Sequence, residues 1–306
     1  MLNTLHKAGR PIPDREIFEF VQDKVSESYA YLYERDLHPL FLEKFKIWVQ
    51  NSVNNGILGL SDFKELTYTH GTSQSFDCFY FKHNKRRLRI LKGDFLYHKL
   101  CTQKSIHFKY LDDGILEASD FLIISVPFSD SGNTPINLEE ILTECDEMGI
   151  PVWIDAAYMI MASGIFLDLN HKCIEGISFS MTKGYYGCER LRIGVRMKRI
   201  FEDDGIDVAN SMSMVSAVGC YVGNEIINKF DIDYVYNKYR SRQIILCEEF
   251  GLTPSDSVIF GLGDPAISEF DIYNRGTDFR RICLSDEMGD FPLDNPTLTY
   301  YDSKFK

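Results

Sequence analysis

The stretch from residue 121 to residue 154 restricts the fold more than any other part of the chain. Phe121–Val126 reads FLIISV, and Val152–Ile154 is as apolar. Runs without polar alternation suit strands buried on both faces. Between them lies a helical pattern. Asn137 is placed to cap it, with Glu140 three residues on as a capping box. Leu138, Ile141, Leu142, Cys145 and Met148 form an apolar stripe at helical spacing, which Gly149 and Pro151 end. Strand, helix and strand at this spacing make a βαβ unit, and hence a parallel sheet with helices on both faces.

The same alternation continues on either side. Leu88–Leu91, Ile106–Tyr110 and Gly176–Ser180 are further candidate strands. Ahead of them, Phe41, Phe45, Trp48 and Val49 recur at helix period. Two longer helical patterns, about 210–229 and 232–250, lead into short strands near Val258–Phe260, Ile267–Ile272 and Arg281–Leu284. The 306 residues are therefore predicted as an α/β fold in two parts. Residues 40–205 form the large α/β domain, and 1–39 with 206–306 form a smaller α+β unit.

Composition removes several functions. The 33 basic against 45 acidic residues leave a net charge of −12, which argues against binding the nucleic-acid backbone. The one basic run, Lys82–Arg89, reads as a solvated face. No apolar stretch approaches the ~18 residues that span a bilayer, and no charged leader precedes an apolar core. A cytoplasmic protein without a membrane partner is expected. The eight cysteines are scattered singly with no C-x-x-C; they read as small core residues in a reducing compartment, and no metal is predicted.

In open α/β sheets, ligands bind at the carboxyl ends of the strands, so the polar residues there carry the chemistry. Four groups stand out. His70-Gly71-Thr72-Ser73 opens a helix, where free N–H groups and the helix dipole favour an anion; read alone it is also a plain cap. Asp155 follows the apolar strand directly, costly unless its charge meets a cation, and Tyr158 follows three residues later; alone, Asp155 could cap a helix. Ser180 and Lys183 come at the next strand end, where a desolvated lysine becomes a nucleophile for Schiff-base chemistry; most lysines are merely solvated. Arg190-Leu191-Arg192-Ile193-Gly194 reads as a strand returning arginine to the same edge, suited to a phosphate or carboxylate.

Together, Gly-Thr-Ser, Asp-x-x-Tyr, Ser-x-x-Lys and Arg-Ile-Gly in this order resemble the fold-type I pyridoxal-phosphate enzymes, specifically the class I/II aminotransferases. The likeness extends over most of the chain. GRPIPDREIF is similar to the family's Gly-x-Pro-Asp segment, Tyr33 with LFLEKF to its Tyr and Leu-Arg segment, and FRRICLS to its carboxylate-arginine strand. The resemblance implies an aminotransferase of α-amino acids and 2-oxo acids, with pyridoxal 5'-phosphate as cofactor. Lys183 would bond the cofactor aldehyde and move the substrate Cα proton. Asp155 would pair with the pyridine nitrogen, and Tyr158 would bond the phenolic oxygen. Gly71, Thr72, Ser73, Ser180 and Arg192 would hold the phosphate, and Phe95 would stack on the ring. Arg281 would take the substrate carboxylate, and Tyr33 would reach the phosphate of the second subunit of a homodimer. Arg190 competes with Arg192, and Arg280 with Arg281; strand alternation allows only one of the latter pair.

Two departures stand out. Where the family has Asn-Pro-x-Asn-Pro-Thr-Gly, this chain has Val126-Pro127-Phe128-Ser129-Asp130-Ser131-Gly132, so Ser129 takes the second asparagine's place unless Asn133 substitutes. The chain is also short for the family, with less to close over a substrate. A lyase, decarboxylase or β/γ-substitution enzyme, and a non-catalytic sensor of the same fold, are the competing readings.

Overall fold

The computed structural model describes residue 5, residues 7–102 and residues 106–291, without the side chains of residues 100–102. Its centre is a seven-stranded sheet. In chain order the strands are β1 (Gly56–Leu58), β2 (Glu65–Thr69), β3 (Arg87–Ile90), β4 (Phe108–Tyr110), β5 (Asp120–Ser125), β6 (Val152–Ala156), β7 (Phe166–Asp168), β8 (Ile174–Ser180) and β9 (Gly194–Lys198). The central sheet has the order β2-β9-β8-β6-β5-β3-β4, while β1 and β7 form a separate parallel pair. Only β9 runs against its neighbours. Every residue of β5 and of β6 is buried. That is what an unalternated apolar run requires when helices cover both faces.

The helix after β5, Leu138–Met148, buries Leu138, Leu142 and Cys145 and ends on Gly149 in the left-handed region. Asn137 is not its side-chain cap, and the expected capping box is absent. Asn137 itself lies at φ 58°, a left-handed turn that carries its side chain away from the helix amides. The stripe near the N-terminus is the helix Leu37–Gln50, with Phe41, Phe45, Trp48 and Val49 all buried. It packs against the helix Ala217–Lys229, which also meets the helix Arg15–Glu27.

A three-stranded antiparallel sheet follows, β10 (Leu252–Pro254), β11 (Phe260–Gly263) and β12 (Arg281–Cys283), in that order. The predicted strand at 267–272 is instead the 3-10 segment Ser268–Tyr273. Its buried residues, Phe270 and Tyr273, lie three apart, the period of a 3-10 turn and not of a strand. Likewise the strand expected from Arg190 begins only at Gly194, because Arg192 at φ 58° turns the chain first. Both ends of the described chain meet: Arg15 N–H donates to Asp290, and Ser285 to the carbonyl of Arg10.

The basic run is a solvated face only in its first half, where Lys82, Asn84 and Lys85 are exposed. Lys82 pairs with Glu175 and Glu202. Arg89 is wholly buried, and its guanidinium donates to Asp120 Oδ2 at 2.8 Å and to four backbone carbonyls. Asp120 is equally buried and also binds Arg87. Of the cysteines, Cys78 is half-buried and six others are buried; the Cys101 side chain lies outside the described residues. Among the described residues, Asp146, His171 and Cys173 lie close enough to hold a metal. His171 is nevertheless bound between Asp146 and Glu139. No helix among the described residues is long and apolar enough to cross a membrane.

Removing one partner of a buried ion pair leaves the other charge without compensation. Asp120→Ala should therefore cost about 3–5 kcal/mol of unfolding free energy, read from denaturant melts. A loss below about 1 kcal/mol would show that the carbonyls alone satisfy Arg89.

Candidate active site

The reversed direction of β9 brings one set of residues together. The parallel strands β2, β3, β5, β6 and β8 end at one edge of the sheet, and β9 starts there. Gly71 and Thr72 follow β2, Asp94 and Phe95 follow β3, Ser129 follows β5, Tyr158 follows β6, and Lys183 follows β8. Arg192 precedes β9.

Asp155 is the second-to-last residue of β6 and is 4% exposed. Its Oδ1 accepts the Ala157 N–H at 3.1 Å, and the Thr72 side chain bonds it as well. Burial, and then the nearby charge of Asp94, push the Asp155 carboxyl up to about 7; Ala157, Thr72 and Lys183 oppose this. Lys183 stands in the four-residue helical turn Met181–Gly184 after β8. Its Nζ lies 6.0 Å from the Tyr158 ring centroid and donates to the Gly9 carbonyl at 2.9 Å. The N-terminal strand-like segment thus lies over the lysine. Only glycine fits at position 9, since a Cβ there would come within 2.5 Å of Tyr158 Oη.

A second cluster lies at the start of the helix Ser73–Lys82, where Ser73 is its first residue and Thr72 its flanking one. Arg192 Nη2 donates to the His70 carbonyl at 3.2 Å, and the same atom would lie 2.6 Å from a Cβ at Gly71. Gly71 has φ +82°, a conformation that side chains resist. Ser180 pairs with Gly194 across β8 and β9, and Gly194 abuts Gly71. Arg192, exposed like Arg190, belongs to this cluster through its guanidinium contacts with His70 and Gly71.

A third cluster carries the arginine. Arg281 is 3% exposed, bonds the carbonyls of Ser129 and Lys7, and lies with its guanidinium carbon 4.3 Å from the Phe260 ring centroid. Phe260 also packs edge-on against Tyr158 at 5.2 Å, linking Arg281 to the lysine. Arg280 turns the other way, to Asp271, as β-strand alternation demands. Ser129 faces this group through its backbone oxygen. Asn133 does not replace it, because its Oδ1 accepts the Asp256 N–H at 2.8 Å.

Two further residues stand apart. Phe95 is half-buried, stacked at 5.8 Å on Tyr97 and edge-on to His98. Tyr33 is 95% exposed on the turn ahead of the helix Leu37–Gln50, and its position does not join the group. Cys188 is fully buried, which pushes its thiol well up, so it packs and does not react. Asp94, Phe260 and Gly9 were not singled out as site residues from the sequence. Asp94 could have been found as the polar residue at the end of β3, beside Phe95.

No protein-family model matches the chain, and no curated protein matches it in sequence. Solved structures do match in shape. Tyrosine aminotransferase from Leishmania infantum superposes with a TM-score of 0.62 at 13% identity, over 97% of this chain and 90% of that one. The Thermus thermophilus aspartate aminotransferase tetra mutant complexed with tryptophan gives 0.65 at 14%, over 91% and 86%. Aromatic aminotransferase from Pyrococcus horikoshii gives 0.64 at 14%, over 91% and 90%. The fold is that of the fold-type I aminotransferases. The α/β expectation with a mostly parallel sheet agrees with it.

Because Asp155 holds its proton to higher pH when folded than the usual 3.8, it makes the folded state progressively less stable from about pH 4 to about pH 7. Asp155→Asn, without added cofactor, should melt several degrees above the parent protein at pH 8. At pH 4 the two should melt together. Equal melting at pH 8 would mean that Asp155 carries no such penalty.

Proposed function

We propose that this chain is a pyridoxal 5'-phosphate-dependent aminotransferase acting on an α-amino acid and a 2-oxo acid. The observation that carries the reading is the convergence of Asp155, Lys183 and Tyr158 with the Gly71–Arg192 cluster and Arg281 on one sheet edge. These residues fit the cofactor. A buried acid stands ready for a cationic ring nitrogen, the cleared space at Gly71 admits only backbone, and Arg192 with the amides at Thr72 and Ser73 suits a phosphate. Bound there, the cofactor supplies an electron sink for charge developing at the substrate Cα.

The chain's own side chains do the rest. Lys183 Nζ, now held by the Gly9 carbonyl, would be the amine that holds the cofactor aldehyde and the base that would carry the proton to and from the substrate Cα. Asp155 holds the ring nitrogen by charge, and Thr72 orients Asp155. Tyr158 would donate to the cofactor's phenolic oxygen, with Ser129 as the second polar residue that would serve it. Arg192, Thr72, Ser73 and Ser180 would hold the phosphate, and Phe95 would be the aromatic residue for the ring. Arg281, anchored by Phe260, exchanges the Lys7 carbonyl for the substrate carboxylate, a charge-assisted gain over a neutral acceptor.

A homodimer follows from the same reading, with 40–205 as the cofactor-binding unit and the two ends as the smaller one. Tyr33 is available to reach a second copy.

The purified protein given pyridoxal 5'-phosphate should show a visible absorbance band that an amino donor abolishes. Lys183→Ala should lose the band and more than about 1,000-fold of the transamination rate. Arg281→Leu should keep the band and raise the KM for amino acid about 100-fold, matching the loss of a charge-assisted pair. A band that no amino donor changes rules out transamination. Ammonia or carbon dioxide release without a 2-oxo acid would instead indicate a lyase or decarboxylase.

A further inference from the structure

We propose that Asp94 is a positioning residue for Asp155: a second buried acid, held through Ser125 on the strand paired with Asp155, whose closeness makes charge on Asp155 costlier and readies it for the cofactor's ring nitrogen. The inference rests on the binding of pyridoxal 5'-phosphate proposed above.

The geometry comes from strand register. Ser125 ends β5 and is paired with Asp155 on β6. From that position its hydroxyl donates to Asp94 Oδ1 and its N–H to Asp94 Oδ2 at 3.2 Å. The Phe95 N–H adds a third donor at 2.6 Å. Asp94 is 6% exposed, so this acid is clamped on the strand next to Asp155 and shielded from water. Two carboxylates that share so little solvent cannot both ionise without cost, and the one with fewer donors takes the proton. Asp155 has only Ala157 N–H and the Thr72 side chain.

The other groups around the pair do not cancel the second charge. Lys183 faces Asp155 from the turn after β8. Its Nζ is directed to Gly9. Arg275 reaches the backbone oxygen of Asp94 at 3.2 Å, while its charge faces Asp130. His98 lies near Asp94, and burial lowers its pKa to about 4, so it stays neutral. Asp130 adds a further acid on the same side. Against this background the upward displacement of Asp155 is a property of the site, with burial as its first cause and Asp94 as its second.

The chemical consequence is a balanced proton transfer. The fraction of Asp155 that carries a proton would give it to the ring nitrogen of a bound cofactor and would remain as the carboxylate paired with the cation so formed. No proton need be taken from solvent.

The test is an infrared titration of the cofactor-free protein labelled with ¹³C-aspartate, with Asp155→Asn subtracted to isolate one carboxyl. The parent midpoint should lie near pH 7. Asp94→Asn keeps the shape and an acceptor for Ser125, and should lower the midpoint by about 1 pH unit or more. Asp94→Glu, which restores the charge, should return it toward the parent value. Should Asp94→Asn not fold, Asp94→Ser serves the same comparison. A folded variant whose Asp155 midpoint equals the parent's overturns the proposal, as does failure of Asp94→Glu to raise it. Failure of the protein to bind pyridoxal 5'-phosphate at any pH would defeat the proposed function instead, leaving the titration to stand or fall separately.

Discussion

Everything at the carboxyl edge of the sheet is arranged around one unfavourable burial, that of Asp155 inside an apolar strand layer. Trp153 and Ile154 precede it, Ala156 follows it, and all are buried. An acid in such surroundings keeps its proton unless a cation or several donors meet it. The structure offers it two hydrogen-bond partners and the charge of Lys183 against burial and a neighbouring acid, which together still hold its carboxyl above the usual range. That imbalance distinguishes it from Asp120, equally buried but bound by Arg87 and Arg89. The first is poised, the second is settled.

The reversal at β9 turns a list of polar residues into a site. Were β9 parallel to β8, Arg192 would lie at the opposite edge from Lys183. The chain makes the reversal with Arg192 at φ 58° and with close packing of Gly194 on Gly71 and Thr69. A side chain at either glycine would meet its neighbour within 2.8 Å, so the anion cluster exists because two backbones approach without Cβ atoms. The N-terminal segment completes the enclosure in the same manner, with Gly9 against Tyr158 and Phe260.

Much of this was legible in the residues. The unalternated runs at 121–126 and 152–154 required a two-sided sheet, and the polar groups expected at the strand ends do lie at one edge of it. What escaped was local chemistry that spacing does not encode. Asn137 looked like a cap by type, but its backbone took the left-handed turn. The 267–272 segment looked like a strand by composition, but its inward residues lie three apart. Arg89 looked solvated by its neighbours, but Asp120, brought beside it by parallel pairing, drew it inside.

The sequence by itself therefore determined the βαβ core, the acidic net charge and which residue types stand at the strand ends. Those properties depend on burial period and charge count, both local sums over neighbouring residues. Only the tertiary structure decided that Arg192 and not Arg190 meets Gly71, that Arg281 and not Arg280 turns inward, and that Asp94 stands beside Asp155. Each of these is fixed by strand register and chain reversal, which join residues tens of positions apart and leave no trace in short-range spacing.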